Sequence, residues 1–164
     1  MIYLKTDEEV ELMRESNILL SKTYAEVAKH IVPGVTTAEL DRIAEEYIRD
    51  NGGIPACKGY EGFPCALCTS VNEQVVHGIP SEQTVLKDGD IITIDSSILL
   101  NGFHSDSAYT FPVGEISDDV MRLLKTTKQA LYLGIEQAVT GHRLGDISFA
   151  IQNYCEKAGY GVIR

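Results

Sequence analysis

Two amphipathic patterns with a period near 3.6 residues open the chain and predict two helices. A capping box, Thr6-Asp7-Glu8-Glu9, begins the first, and Pro33-Gly34 ends it. The second begins at Thr36-Thr37-Ala38-Glu39 and ends at Asn51-Gly52-Gly53, where residues tolerate a left-handed backbone. The predicted buried stripes are Val10, Met13, Leu20, Tyr24, Val27 and Ile31 in the first helix, and Leu40, Ile43, Ala44, Tyr47 and Ile48 in the second.

Between residues 91 and 111 the period changes to two, which predicts a β-hairpin with Asn101-Gly102 as its turn. In that register Asp95 faces Ala108 and Asp106 faces Ser97, so both carboxylates project to one side of the sheet. The other side is predicted to be buried against helices, and it carries Ile92, Ile94, Ile98, Leu100, Phe103, Tyr109 and Phe111. Two carboxylates that share a face can bind a cation. Residues 67–71 and 74–77 predict two shorter strands before the hairpin.

Two further helices are predicted after the hairpin, and they resemble the first pair. Ser117-Asp118-Asp119 opens one that runs to about residue 139, and Gly145-Asp146 opens another that runs to about residue 158. A shift of 107 residues places Gly141 on Gly34, Ile147 on Leu40 and Gly159 on Gly52. We interpret this as an internal duplication, with chance similarity of two amphipathic helix pairs as the alternative. The first repeat spans about 1–113, and the second, at 114–164, is expected to lack its strands.

The composition of the chain excludes several classes of function. The chain has 164 residues, 14 basic and 24 acidic, with a net charge of −10, which disfavours binding to nucleic acid or an anionic membrane. It contains neither an apolar signal core nor a membrane-spanning run, so we expect a cytoplasmic protein. The four cysteines are too few and too unevenly spaced for a disulfide framework. Cys65-x-x-Cys68 lacks a second ligand pair for zinc, so reduced thiols beside a pocket are the better interpretation.

Four linked motifs carry a family resemblance. They are G-Y-E-G-F-P, S-V-N-E-Q-V-V-H-G-I-P, L-K-D-G-D-I-I-T-I-D and N-G-F-H-S-D-S-A-Y-T-F. In this order and spacing they closely resemble type I methionine aminopeptidases of the bacterial kind, from residue 1 to residue 164. The resemblance implies an α+β pita-bread fold around two divalent metal ions (Co, Mn, Fe or Zn). It also implies removal of the initiator methionine from nascent polypeptides whose next residue is small.

The resemblance assigns roles to seven residues. Asp95 matches a ligand of one metal ion, Asp106 matches the ligand that bridges both, and His77 matches a histidine that contacts the substrate near the scissile bond and helps catalysis. The pocket for the methionine side chain is implied to include Cys57, Tyr60, Phe63 and Cys68. The family's remaining ligands, one histidine and two glutamates, have no counterpart within residues 1–164. The chain is therefore expected to be an incomplete metallopeptidase catalytic domain, inactive alone, with a missing C-terminal half as a possible partner.

Two alternatives stay open. A pita-bread protein can be a non-catalytic binding module, because fold does not dictate function. A dinuclear peptidase of the same fold that acts on Xaa-Pro bonds is the other alternative.

Overall fold

A computed structural model describes residues 2–163, so the two end residues of the predicted 1–164 domain lie outside the described part. The described part divides into two compact units, with the boundary between residues 116 and 117. The first unit holds two helices and a sheet, and the second holds two helices. In the described residues no helix combines the length and the apolar character needed to cross a membrane.

The first two helices begin where the sequence predicts them, but the first ends at Ala28, before the predicted stop at Pro33-Gly34, so Ile31 lies beyond it. Helix α1 spans Asp7–Ala28 and helix α2 spans Thr37–Asp50. The capping box of α1 is present, because the Glu9 amide donates to Thr6 Oγ1 and the Thr6 amide donates to the Glu9 carboxylate. Thr36 caps α2 in the same way through the Glu39 amide. Most of the predicted stripe residues are buried, Met13, Ile43 and Tyr47 are partly buried, and Val10 near the start of α1 is 42% exposed.

A four-stranded antiparallel sheet packs against these helices. Its strands are β1 (Ile54–Pro55), β2 (Cys68–Val71), β3 (Ile91–Leu100) and β4 (Phe103–Pro112). Strand β3 is central, with β4 along one edge and both β1 and β2 along the other. The turn at Asn101 (φ 52°) and Gly102 (φ 81°) fixes the predicted register, with Asp95 opposite Ala108 and Ser97 opposite Asp106.

The core lies between the helices and the inner face of the sheet. Ile92, Ile94 and Ile98 are fully buried there, as the alternating pattern predicts. They pack with Leu20 and Val27 of α1 and with Leu40, Ala44 and Ile48 of α2. Tyr109 was predicted to be buried on the same face but is 45% exposed, and its ring instead lies against Phe111 with centroids 4.8 Å apart.

The prediction of a strand at residues 74–77 is wrong. After β2 the chain turns, with Asn72 at φ 51° and the Gln74 amide donating to the Val71 carbonyl. The Gln74 side chain then accepts a hydrogen bond from the Val71 amide. The apolar pair Val75-Val76 is exposed, so it follows the turn instead of joining the sheet.

The second unit contains helix α3 (Asp118–Glu136) and helix α4 (Leu144–Lys157). They pack closely at Gly134, where an added Cβ would lie 2.8 Å from Ile151. The bounds of α4 equal those of α2 moved by 107 residues, since 37 + 107 = 144 and 50 + 107 = 157. This coincidence supports the internal duplication, which stays a prediction.

Candidate metal and substrate site

The two aspartates of the hairpin lie on the outer face of the sheet, as the register requires. Asp95 on β3 is half-buried, and Asp106 on β4 is exposed. Diagonal neighbours in an antiparallel pair are about 7–8 Å apart at their backbones, so the carboxylates can reach a common ion. The hairpin therefore brings two predicted metal ligands together over 11 residues of chain, 106 − 95.

The electrostatics at Asp95 are those of a carboxylate that favours a nearby cation. Burial raises the pKa of Asp95, and the negative charge of Asp106 raises it further, while His77 lowers it. The charge of a divalent ion would offset both effects, and hard carboxylate oxygens suit Mn²⁺, Fe²⁺, Co²⁺ or Zn²⁺. Within the described residues no group of three or more His, Cys, Asp and Glu side chains could hold a metal ion. The donor set thus fits part of a metal site.

His77 is placed by the backbone that follows β2. Its own backbone is left-handed, with φ at 57°, a conformation that non-glycine residues seldom adopt. The next residue, Gly78, accepts a hydrogen bond from the Thr69 amide at 2.8 Å and donates to Ser70 Oγ at 3.2 Å. This pairing holds the loop against β2. The His77 side chain is exposed, and its charge lowers the pKa of Asp95.

Cys57 and Cys68 occupy successive places along one edge of β3. The Ala56 amide, just before Cys57, donates to the Ser97 carbonyl, and Cys68 pairs with Asp95. Burial is the main cause that raises the pKa of both thiols, to about 11 for Cys68. The charges of Asp95 and Asp106 raise both further. These thiols are therefore neutral near pH 7, which suits contact with an apolar side chain.

Residues 58–67, here called the pocket loop, leave this edge of β3 after Cys57 and return to it at Cys68. Tyr60 begins a short 3₁₀ turn, Tyr60–Gly62, and is 69% exposed, while Phe63 is half-buried. The structure thus brings Cys57 and Cys68 beside Asp95 and leaves the Tyr60 ring in solvent. A groove of ≈ 460 Å³ in the second unit is lined by none of the predicted site residues.

The cysteines are free thiols in the described chain, consistent with the sequence prediction. Burial raises the pKa of the Cys65 thiol, and the negative charge of Asp41 raises it further. Asp41 itself was not singled out from the sequence, because its partners lie about 25 residues away in the chain and no local pattern signals them.

Comparisons with known proteins agree with this geometry. The family model described as "Metallopeptidase family M24" matches residues 11–164 of the chain. The chain is 50% identical to a methionine aminopeptidase of Clostridium acetobutylicum, covering 100% of this chain and 66% of that protein. A crystal structure of methionine aminopeptidase from Rickettsia prowazekii superposes with a TM-score of 0.98 at 38% identity, covering 100% of this chain and 66% of the other.

A more distant structure bears on the fold alone. The Xaa-Pro dipeptidase from Bacillus anthracis superposes with a TM-score of 0.83 at 24% identity, covering 96% of this chain and 43% of that chain. Together these likenesses confirm the α+β pita-bread fold predicted from the sequence. The chain spans 66% of the length of the methionine aminopeptidases described above.

Proposed function

Because this chain belongs to metallopeptidase family M24, we propose that it forms part of a methionyl aminopeptidase. The reaction is hydrolysis of the first peptide bond of a protein, which releases the initiator methionine. The observation that carries this proposal is the shared face of Asp95 and Asp106 on the β3–β4 hairpin, with His77 close enough to influence Asp95.

We propose that Asp95 and Asp106 would hold two divalent ions at this site, with both carboxylates as ligands. Such ions, when bound, polarise a peptide carbonyl and lower the pKa of a bound water. Asp95 is half-buried, which reduces competing hydration, and Asp106 is open to solvent. The hairpin fixes the spacing of both carboxylates before any ion arrives.

The substrate groups are proposed to lie on either side of this pair. His77 hydrogen-bonds the substrate near the scissile bond and assists catalysis. The side chain of the first residue is received by Cys57, Tyr60, Phe63 and Cys68, because neutral thiols and aromatic rings suit a flexible thioether. We propose nascent polypeptides with a small second residue as substrates, in the cytoplasm. The net charge of −10 disfavours nucleic acid as a partner.

The site within residues 1–164 is proposed to be incomplete. The ligand set implied by the family resemblance includes one histidine and two glutamates that this stretch does not supply, and the chain spans 66% of the relatives' length. Two carboxylates alone bind a divalent ion weakly, because high affinity needs more ligands in fixed geometry. The 164-residue chain by itself is therefore expected to be inactive.

The alternative functions are less well supported. The Xaa-Pro dipeptidase described above is 24% identical, whereas the methionine aminopeptidase of Clostridium acetobutylicum is 50% identical. A non-catalytic binding protein would not need Asp95, Asp106 and His77 together, and all three are present.

The test is release of methionine from Met-Ala-Ser by the full-length protein that contains this chain, supplied with Mn²⁺ or Co²⁺. We expect Asp106→Asn and Asp95→Asn to lower kcat/KM at least about 100-fold, because each removes a charged ligand. Asp50→Asn, at the exposed end of α2, is the matched control and is expected to leave the rate unchanged. Full activity of Asp106→Asn would contradict the proposal. Steady methionine release by the 164-residue chain would contradict the incompleteness.

A further inference from the structure

The pocket loop leaves the edge of β3 and returns to the same edge. Contacts outside the sheet must therefore fix its conformation. Its two ends occupy neighbouring positions on β3, but the residues between them pair with no strand. Within the loop, the Gly59 amide donates to the Phe63 carbonyl at 2.7 Å and the Phe63 amide donates to the Tyr60 carbonyl at 2.9 Å. These bonds shape the first half of the loop. They do not fix it to the rest of the molecule.

One carboxylate on helix α2 fixes the second half. Asp41 Oδ1 accepts hydrogen bonds from the Ala66 amide at 2.9 Å and from the Leu67 amide at 2.8 Å. Two consecutive backbone amides thus donate to the same oxygen of Asp41. The side chain is half-buried, and burial raises the pKa of Asp41 although the two amides lower it.

The segment that Asp41 holds is itself buried and leads directly into the site. Ala66 and Leu67 are both fully buried, and the next residue is Cys68, opposite Asp95. The Ala66 carbonyl accepts a hydrogen bond from Ser96 Oγ at 2.9 Å. The backbone at Ala66 is therefore held from α2 on one side and from β3 on the other.

The beginning of the pocket loop is held more weakly, from the same face of α2. Glu45 lies one helical turn after Asp41, and its carboxylate pairs with Lys58 Nζ at 2.6 Å. The Lys58 side chain is 42% exposed. Exposed ion pairs contribute little, typically below about 1 kcal/mol. Asp41 is therefore the main anchor of the loop outside the sheet.

We propose that Asp41 is a positioning residue for the pocket that receives the side chain of the substrate's first residue. It acts through Ala66 and Leu67 on Cys68 and on the Phe63 end of the loop. This inference rests on the proposed aminopeptidase function for its substrate, but the anchoring itself does not. Asp41 makes no bond to the reacting groups, so its loss should affect binding of the side chain more than the chemical step.

The first experiment measures amide hydrogen exchange in the 164-residue chain. Asp41→Ala is expected to speed exchange at Ala66 and Leu67 at least tenfold, because both amides lose their acceptor. Asp41→Asn keeps an acceptor oxygen in place and is expected to retain most of the protection. Glu46→Gln removes a carboxylate from the same helix, one that pairs with Arg42 instead of the loop, and should change neither amide. Unchanged exchange at both amides in Asp41→Ala would overturn the anchoring.

The second experiment measures kinetics of the same variants in the full-length protein. Asp41→Ala is expected to raise KM for Met-Ala-Ser about tenfold with kcat within about twofold, and to narrow the preference for methionine over leucine at the first position. Asp41→Asn should restore both values. If Asp41→Ala does not fold, Asp41→Glu decides the question, because its longer side chain displaces the same amides and should also raise KM.

The outcomes separate the two proposals. No turnover by the wild-type full-length protein would contradict the aminopeptidase function, and the exchange experiment would still decide the anchoring. Faster exchange with KM and selectivity unchanged, or a fall in kcat alone, would show that Asp41 supports the fold without shaping the pocket.

Discussion

A single hydroxyl group illustrates how helix α1 supports the site at the level of one residue. Tyr24 is 8% exposed, and its hydroxyl donates to the backbone carbonyl of Ser107, the residue after Asp106. Burial and the charges of Asp95 and Asp106 raise the pKa of Tyr24, so the hydroxyl keeps its proton and remains a donor. The phenol thereby holds the backbone next to a proposed metal ligand.

Tyr24→Phe is expected to lower the free energy of unfolding by about 0.5–1.5 kcal/mol, because the hydrogen bond to the Ser107 carbonyl is lost. Urea denaturation of the 164-residue chain measures this. The control is Tyr3→Phe, where the ring is 76% exposed, and its expected change is within about 0.5 kcal/mol. Equal effects at the two tyrosines would mean that the hydrogen bond to Ser107 contributes nothing.

The roles of some site and supporting residues could be predicted from the sequence, and the roles of others could not. Asp95 and Asp106 could be assigned to one face because a two-residue turn fixes their register locally. Asp41 and Tyr24 could not be assigned a role. Their partners lie 25 to 83 residues away, and contacts over such distances depend on how helices pack on the sheet. Tyr24 was predicted only as a member of a buried stripe.

At the level of elements, the loop after β2 depends on close backbone contact. A Cβ at Gly78 would lie 2.1 Å from the Thr69 carbonyl oxygen, and a backbone atom cannot move aside as a side chain can. Gly78→Ala must therefore break the bond between the Thr69 amide and the Gly78 carbonyl and displace His77.

We expect Gly78→Ala to lower the free energy of unfolding by about 1–3 kcal/mol, from overpacking and a lost strand contact. Gly145→Ala is the matched control, because a Cβ at Gly145 meets nothing within 4 Å and Gly145 is the second residue of α4. Alanine is the better helix former, so this change should be neutral or stabilising by up to about 1 kcal/mol. Thermal and urea denaturation compare the two, and equal stability of both variants would refute the steric argument.

Elements were predictable where a local signal sets their start or their turn. Helices α1 and α2 begin at capping threonines, and the hairpin turns at Asn101-Gly102, so their positions follow from the sequence. Residues 74–77 carry a short apolar run without such signals, and the turn at Asn72 takes them off the sheet. The conformation of the pocket loop depends on hydrogen bonds between residues distant in the chain, so no local sequence pattern predicts it.

At the scale of the whole molecule, the proposed metal site takes only some of its ligands from residues 1–164. The affinity of this stretch for metal should therefore be lower than that of the complete site. We expect the 164-residue chain to bind Mn²⁺ at least about 100-fold more weakly than the full-length protein, because two carboxylates leave most coordination positions to water. Isothermal titration calorimetry measures both affinities. Asp106→Asn in the 164-residue chain should weaken the remaining binding further, and equal affinities of the chain and the full-length protein would contradict a divided site.

The position of the pocket loop has one more consequence. Because β1 and β2 rejoin the same edge of β3, the number of residues between Cys57 and Cys68 does not determine where Asp95 points. Closing a longer loop adds little entropy cost, only about 0.6 kcal/mol for each doubling of its length. Insertions or deletions before Cys65 could therefore accumulate during evolution and change which side chains the protein accepts, while the carboxylates on the hairpin keep their spacing.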